Sequence, residues 1–162
     1  MENINYYEHC LELLEQRGVT ITDIVACSKY LQAKYHSELG DDDYREAIIR
    51  ILNKREVQFT IMTGIALDKL ADSHGIPDQE LQRCILNDEA LYGIDEVLAY
   101  SICNLYGSIA LTNFGYIDRE KFGIIKELND DHRQCNTFID DIIGAIAAAA
   151  AGNIAHNKGT VK

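Results

Sequence analysis

An all-α fold, a compact multi-helix bundle with one central helix surrounded by the others, is what this sequence predicts, on three observations. Proline occurs once and Trp not at all in 162 residues, and runs of β-branched residues are few, so little favours strands. Apolar residues recur every three or four positions through most of the chain, the period of a helix with one buried face. The longest uncharged, mostly apolar tract, Ile142 to Gly152, ends in five consecutive alanines and a glycine. A helix with that surface suits burial on most sides, near the middle of a bundle. The tract is too short and too Ala-rich for a membrane span, which needs about 20 apolar residues. A chain of 162 residues, 47% of them apolar, is long enough to bury a core, and with no long linker it is expected to form one domain, 1–162.

The elements follow in order. A first helix is predicted over Tyr6 to Arg17, stopped by Gly18. A second runs from about Asp23 to Tyr35, with Thr22 as N-cap and Ile24, Cys27, Tyr30 and Leu31 inward. Gly40-Asp41-Asp42-Asp43 reads as a turn and helix start, because carboxylates favour a helix N-terminus; a calcium loop would need partner acids that are missing. The third helix carries Tyr44, Ala47, Ile48, Ile51 and Leu52, and the fourth, Lys54 to Ser73, carries Val57, Ile61, Ile65 and Leu70. Pro77 opens a short helix, Asp78 to Leu86. The next helix starts at about Ala90 or Ile94 and ends at Tyr106. Gly107 to Gly123, with three glycines, is expected to be the least helical stretch, Ile124 to Asn129 a helical turn or two, and Asp130 to Asn136 a polar loop. The central helix is predicted from Thr137 to about His156, with a frayed tail after it.

Composition narrows the function classes. The net charge is −11, with 26 acidic against 15 basic residues. That balance argues against nucleic acid as a partner and against unspecific docking on anionic lipid, both of which need a basic surface. It is compatible with a divalent cation, and equally with acidity kept for solubility. The five cysteines, Cys10, Cys27, Cys84, Cys103 and Cys135, are odd in number and form no C-x-x-C. They read as reduced thiols of a cytoplasmic protein, acting as small apolar residues. Met1-Glu2-Asn3-Ile4-Asn5 has neither the basic region nor the apolar stretch of a signal peptide.

Two segments echo each other. Ile94-Asp95-Glu96-Val97-Leu98-Ala99 and Ile139-Asp140-Asp141-Ile142-Ile143-Gly144 match position by position: apolar, acid, acid, branched, branched, small. At about 100° per residue, Asp140, Asp141, Gly144, Ala145, Ala148 and Gly152 share one side of their helix, opposite Ile139, Ile142, Ile143 and Ile146. Asp95, Glu96, Ala99 and Cys103 likewise oppose Ile94, Val97, Leu98, Ile102 and Leu105. Each acid pair therefore continues into small residues, which let another helix or a ligand approach closely. Buried carboxylates are costly unless paired or bound to metal. A plainer role is also open: Asp140 and Asp141 follow Thr137, a fair N-cap, and would complement a helix dipole. On facing helices the two pairs supply up to four carboxylates, an oxygen-rich set suited to Mg²⁺ or Mn²⁺; no Cys/His set has zinc spacing. A metal there would bridge acid and phosphate, and Arg119 and Lys121 are the basic candidates for the remaining phosphate oxygens. Adjacent acids point about 100° apart on a helix, so one of each pair can bind metal while its neighbour does something else.

The chain resembles the phosphatidylglycerophosphatase A family, and within it the soluble branch of low-temperature requirement C proteins. The resemblance runs over most of the chain from about Tyr6. It is sharpest at Leu91-Tyr92-Gly93-Ile94-Asp95-Glu96, Asn104-Leu105-Tyr106-Gly107-Ser108-Ile109, Phe114-Gly115-Tyr116-Ile117-Asp118 and Thr137-Phe138-Ile139-Asp140-Asp141-Ile142-Ile143-Gly144-Ala145. It implies Mg²⁺-dependent removal of the terminal phosphate from phosphatidylglycerol phosphate, and for the soluble branch an all-helical fold around a central helix. The family's D-E motif falls on Asp95-Glu96, its D-x-x-K-P motif on Asp118 to Lys121 with Phe122 in place of proline, and its D-D motif on Asp140-Asp141. The glycine-rich P-G-T-x-G-S segment and the transmembrane segments of the membrane-bound members have no counterpart; Gly64 to Asp68 stands in a similar place.

The reading from sequence is therefore a Mg²⁺-dependent phosphatase of a phosphate monoester, with phosphatidylglycerol phosphate, a phosphorylated lipid headgroup, as the first candidate. Asp95, Glu96, Asp140 and Asp141 are assigned to metal, Lys121 to phosphate, and Asp118 and Asp141 to the catalytic set. A cytoplasmic location, peripheral at the inner face of the membrane through transient contact, is compatible with it, and so is a homo-oligomer. The rival is a non-catalytic helical protein binding a metal or a partner through the same faces, for example in cold adaptation. A third reading is a structural oligomer that uses the small-residue faces for packing.

Overall fold

The computed structural model describes residues 4–35 and 38–159. The residues read as the start of the chain, 1–3, and the tail beyond Gly159 lie outside the described ones. Among the described residues there are nine helices and no strand. They are α1 (Tyr6–Gln16), α2 (Ile21–Gln32), α3 (Asp41–Leu52), α4 (Arg55–Asp72), α5 (Gln79–Leu86), α6 (Ile94–Cys103), α7 (Ser108–Glu120), α8 (Ile124–Asp130) and α9 (Ile139–Gly159).

α9 is the axis of the bundle. α2, α3, α4, α6, α7 and α8 all pack against it. Its Ile139, Ile142, Ile143 and Ile146 and the run Ala147 to Ala151 are completely buried. Small side chains are what let neighbours come this close. A Cβ at Gly144 would rest 3.5 Å from the Phe114 ring of α7, and one at Gly152 would lie 3.1 Å from the backbone nitrogen of Ala110. Gly64 of α4 abuts Ile142 and Phe138 in the same way. The small face predicted for the central helix is thus the surface that receives α7.

Local signals explain most boundaries. Arg17 caps α1 and Gly18 follows with φ +80°. The acidic run starts α3, where the Asp43 carboxylate accepts from the Gly40 amide at 3.0 Å. Tyr44, Ala47, Ile48, Ile51 and Leu52 are buried as the pattern required. Asp78 caps α5 by accepting from the Leu81 amide at 2.9 Å.

Four expectations are corrected. α2 begins two residues early, because Thr20 and Asp23 form a reciprocal capping box that outcompetes Thr22. Residues 107–123, expected to be the least helical, contain the 13-residue α7. Gly107 (φ +90°) is the N-cap of that helix, and Gly123 (φ +59°) opens the next one, α8. Gly115 sits on the open side of α7, and Ala110, Phe114 and Ile117 bury the other against α9. α6 stops at Cys103, and 104–106 are turn. Thr137 does not cap α9: its hydroxyl donates to the Ile85 carbonyl at 2.6 Å. The first amides of α9 go instead to Asp68 of α4, which accepts from Phe138 N at 3.0 Å and Ile139 N at 2.9 Å. No helix among the described residues is long and apolar enough to cross a membrane.

Candidate active site

α6 and α9 each open on an acid pair, and the match in sequence extends to geometry. Gly93, at φ +67°, turns the chain into α6, so Asp95 and Glu96 fall in its first turn. Asp140 and Asp141 occupy the same place in α9. In both pairs the first carboxylate accepts from the amide of the second, at 2.9 Å for Asp95 and 2.7 Å for Asp140. α6 lays its acid-and-small face on α9. Asp95, Ala99 and Cys103 are buried, while Ile94 and Val97, on the apolar side, are 52% and 59% exposed. Asp140 and Asp141 are buried too, whereas Glu96 lies on the surface. The pairs therefore divide unequally: both acids of α9 are interior, and one of α6.

α7 brings the third set. Asp118 lies in its last turn, and Lys121 is its C-cap in the left-handed conformation at φ +50°. That conformation costs a non-glycine residue about 1 kcal/mol or more, a strain found disproportionately at functional sites. It accompanies a side chain returned over the end of its own helix. The Lys121 Nζ lies 2.8 Å from Asp118 Oδ1, 3.3 Å from Asp140 Oδ2 and 3.9 Å from Asp141 Oδ1. Arg119, the other basic candidate, is exposed, over the Tyr116 ring and beside Glu120, and takes no part in the cluster.

One ammonium faces more negative charge than it neutralises. Burial first, then Asp140, Asp95 and Asp118, drive the Asp141 carboxyl far above the usual carboxylate range. Burial also raises Asp140; Lys121 opposes the rise, and Asp88 adds to it. Glu96 is raised by partial desolvation and by Asp118 and Asp95. Burial alone would lower Lys121, but Asp140, Asp118 and Asp141 outweigh it and hold the ammonium well above its ordinary value.

Two acids escaped the sequence reading. Asp88, at φ +50° after α5, adds its charge to that of Asp140, and no sequence signal marks it. Asp68 is completely buried beneath the start of α9, and burial pushes it up to about 7 against the donors that favour its charge. A signal for it existed: Ile61, Ile65 and Asp68 continue one buried register, so an acid stood where the helix is apolar.

The donor chemistry fits a hard divalent cation: the gathered groups are carboxylates, raised first by burial and then by one another's charge, with a single ammonium, Lys121, among them. As they stand, no three His, Cys, Asp or Glu side chains among the described residues enclose a point suited to an ion. The carboxylates of Asp118, Asp140 and Asp141 are turned to Lys121. Clefts open on the bundle among the described residues. One of about 680 Å³ reaches Asp140 and Asp88. Another, about 820 Å³, lies by Arg17 and Glu127 and touches none of the clustered acids.

Known proteins share this arrangement of helices. The family model described as Phosphatidylglycerophosphatase A matches residues 13–156. The chain is similar to the uncharacterized protein YutG of Bacillus subtilis, with 51% identity over 144 residues, 88% of this chain and 86% of that one. Among solved structures it is similar to protein ypjQ from Bacillus subtilis (TM-score 0.92, 46% identity, 97% of each chain). It is equally similar to low temperature requirement C protein from Listeria monocytogenes (TM-score 0.92, 46% identity, 98% of this chain and 99% of that one).

Proposed function

The chain belongs to the phosphatidylglycerophosphatase A family, and from that premise we propose that it is a Mg²⁺-dependent phosphatase of a phosphate monoester, with phosphatidylglycerol phosphate as the substrate to test first. The observation that carries this reading is the convergence, from the ends of three helices, of Asp118 and Lys121 with the buried Asp140 and Asp141, next to Asp95. A structural core has no use for so many uncompensated carboxylates, and hydrophobic replacements would be more stable there.

Asp95, Asp140 and Asp141, with Glu96 at the rim, would hold the cation, which when bound supplies Lewis-acid polarisation of the phosphoryl group and an acidified water. Mn²⁺ has the same ligand preference. Lys121 holds a phosphate oxygen by charge, and Asp118 keeps the ammonium aimed across the cluster. Hydrolysis moves the phosphoryl group from the alcohol to water, by direct attack or by way of a carboxylate, and as the P–O bond to the alcohol breaks its oxygen takes the proton that water gives up. The exposed side of α6, Ile94 and Val97, adjoins the acids and suits transient contact with a membrane surface.

The test is phosphate release from phosphatidylglycerol phosphate with Mg²⁺, with EDTA, and with Asp141→Asn. Activity is expected with Mg²⁺ alone, falling at least 100-fold in the other two arms. Full activity in EDTA or in the variant would overturn the metal site. No release from any phosphate monoester would favour a non-catalytic binding protein.

A further inference from the structure

Lys121, Phe122 and Gly123 are the whole link between α7 and α8, and both Lys121 (φ +50°) and Gly123 (φ +59°) have positive φ. The side-chain contacts that hold this link come from α2. The Phe122 ring lies flat on that of Tyr30, with centroids 4.1 Å apart and planes 3° apart. One turn back on α2, the buried Cys27 thiol donates to the Phe122 carbonyl at 3.6 Å, and a Cβ at Gly123 would rest 3.5 Å from the same sulfur. α2 is in turn tied to α9, because the Ser28 hydroxyl donates to the Ala147 carbonyl at 3.0 Å. The helix that carries Asp140 and Asp141 thus fixes α2, and α2 fixes the residue that follows Lys121. We propose that Tyr30 and Phe122 are positioning residues, whose stack holds the left-handed turn from which Lys121 reaches Asp118, Asp140 and Asp141; the consequence for turnover rests on the phosphatase reading.

The conformation is what needs holding. A non-glycine residue leaves the left-handed region when nothing retains it. A right-handed Lys121 would continue α7 and carry its Nζ away from Asp140 Oδ2, now 3.3 Å distant. The carboxylates attract the ammonium, but they do so through a long, flexible side chain and so leave the backbone free. Flat rings with few rotatable bonds fix it at low entropic cost. The row extends back to α7. The Tyr116 ring lies 6.3 Å from that of Tyr30, and the two hydroxyls are 3.5 Å apart. Phe122 and Tyr116 are 36% and 39% exposed, so the row runs along the surface and is no part of the core around α9. Such support behind a charged group is what keeps a site in its working geometry.

The experiment reads Lys121 itself, then turnover. An ammonium hydrogen-bonded to carboxylates exchanges its protons slowly enough to give a resolved nitrogen–proton resonance, assigned in metal-free protein by its loss in Lys121→Ala. Tyr30→Leu keeps an apolar cover over Cys27 and removes the flat face. Tyr30→Phe keeps the face and loses the hydroxyl. Cys10→Ala opens a small cavity in α1, which packs on α4, and controls for lost stability. The Lys121 resonance is expected to vanish in Tyr30→Leu and to persist in Tyr30→Phe and Cys10→Ala. With Mg²⁺ and phosphatidylglycerol phosphate, kcat/KM should fall about tenfold in Tyr30→Leu alone, since a small displacement of a positioned group suffices. A resonance unchanged in Tyr30→Leu, lost equally in Cys10→Ala or absent from the unaltered chain overturns the proposal. A resonance lost in Tyr30→Leu with kcat/KM unmoved overturns its catalytic consequence. The same loss in a chain that hydrolyses no phosphate monoester supports the positioning and overturns the phosphatase reading alone.

Discussion

Lys121 stands between three carboxylates that would otherwise repel one another, and removing it exposes what each contributes. Lys121→Ala is expected to lower stability by about 2 kcal/mol at pH 7.5, less than the 3–5 kcal/mol of a fully buried pair because the ammonium is partly hydrated. The loss should shrink at pH 5.5, where the acids can protonate; urea unfolding at the two pH values measures it. Asp141 behaves in the opposite way. Its carboxyl is driven up by burial and by Asp140, Asp95 and Asp118, so the metal-free fold prefers it neutral. Asp141→Asn supplies that neutral shape and an amide that can donate to Asp118. In metal-free protein it is expected to raise Tm by about 2–4 °C, roughly 1 kcal/mol for a chain of this size, while abolishing activity. A calorimetric melt beside the phosphate-release assay checks both; a drop in Tm would show that the ionised form is structural.

At the scale of the element, α9 depends on a cap from another helix. Asp68 is separated from Phe138 by 70 residues, yet it takes the first amides of α9 and so fixes where Asp140 and Asp141 begin. Asp68→Ala leaves those amides without an acceptor in a dry site and is expected to cost about 2–3 kcal/mol. Asp68→Asn keeps one acceptor oxygen and should recover at least half, read by chemical denaturation. α4 also meets α9 at Gly64. Gly64→Val drives side-chain atoms into Ile142 and Phe138, and a loss of about 1–3 kcal/mol in the same assay is the expected outcome. These contacts show which elements could be anticipated. The periodic helices α1, α3, α4 and α5 were legible because each carries a clear apolar period, joined in α1, α3 and α5 by a local start signal. α7 was not, because its glycines resemble loop punctuation until Ala110, Phe114 and Ile117 are seen packed against α9.

For the molecule as a whole, the buried acids set an unusual dependence on pH. An acid whose folded pKa lies above its unfolded value of about 3.9 binds more protons folded than unfolded between the two, so stability declines as pH rises through that window. Asp68, pushed to about 7, gives a window from about pH 4 to 7, and Asp140 and Asp141 act in the same direction. The depressed surface acids Asp131, Asp41 and Asp130 act the other way, and their contribution is lost only at lower pH. Metal-free protein is therefore expected to be most stable near pH 4 and to keep losing Tm between pH 5.5 and 7.5. Added Mg²⁺ should restore more at pH 7.5 than at 5.5, because the cation competes with protons for the same oxygens. Melting curves at both pH values with and without Mg²⁺ check this, and a flat Tm from 5.5 to 7.5 would count against the buried-acid picture.

The helical class, the central Ala-rich helix and the two acid pairs were all determined by the sequence alone, since period, proline content and spacing are local properties. Helical phasing also told which residues share each acid's face. Which face turns inward was decided only by the tertiary structure. α6 buries Asp95 together with the small Ala99 and Cys103 and leaves Ile94 and Val97 of its apolar side in contact with solvent, with Ile102 of that side buried as well. The same holds for the partners across the fold. Lys121 among three carboxylates, Asp68 beneath α9 and Asp88 at the cleft are joined through long-range electrostatics and burial, and neither is written in any single stretch of chain.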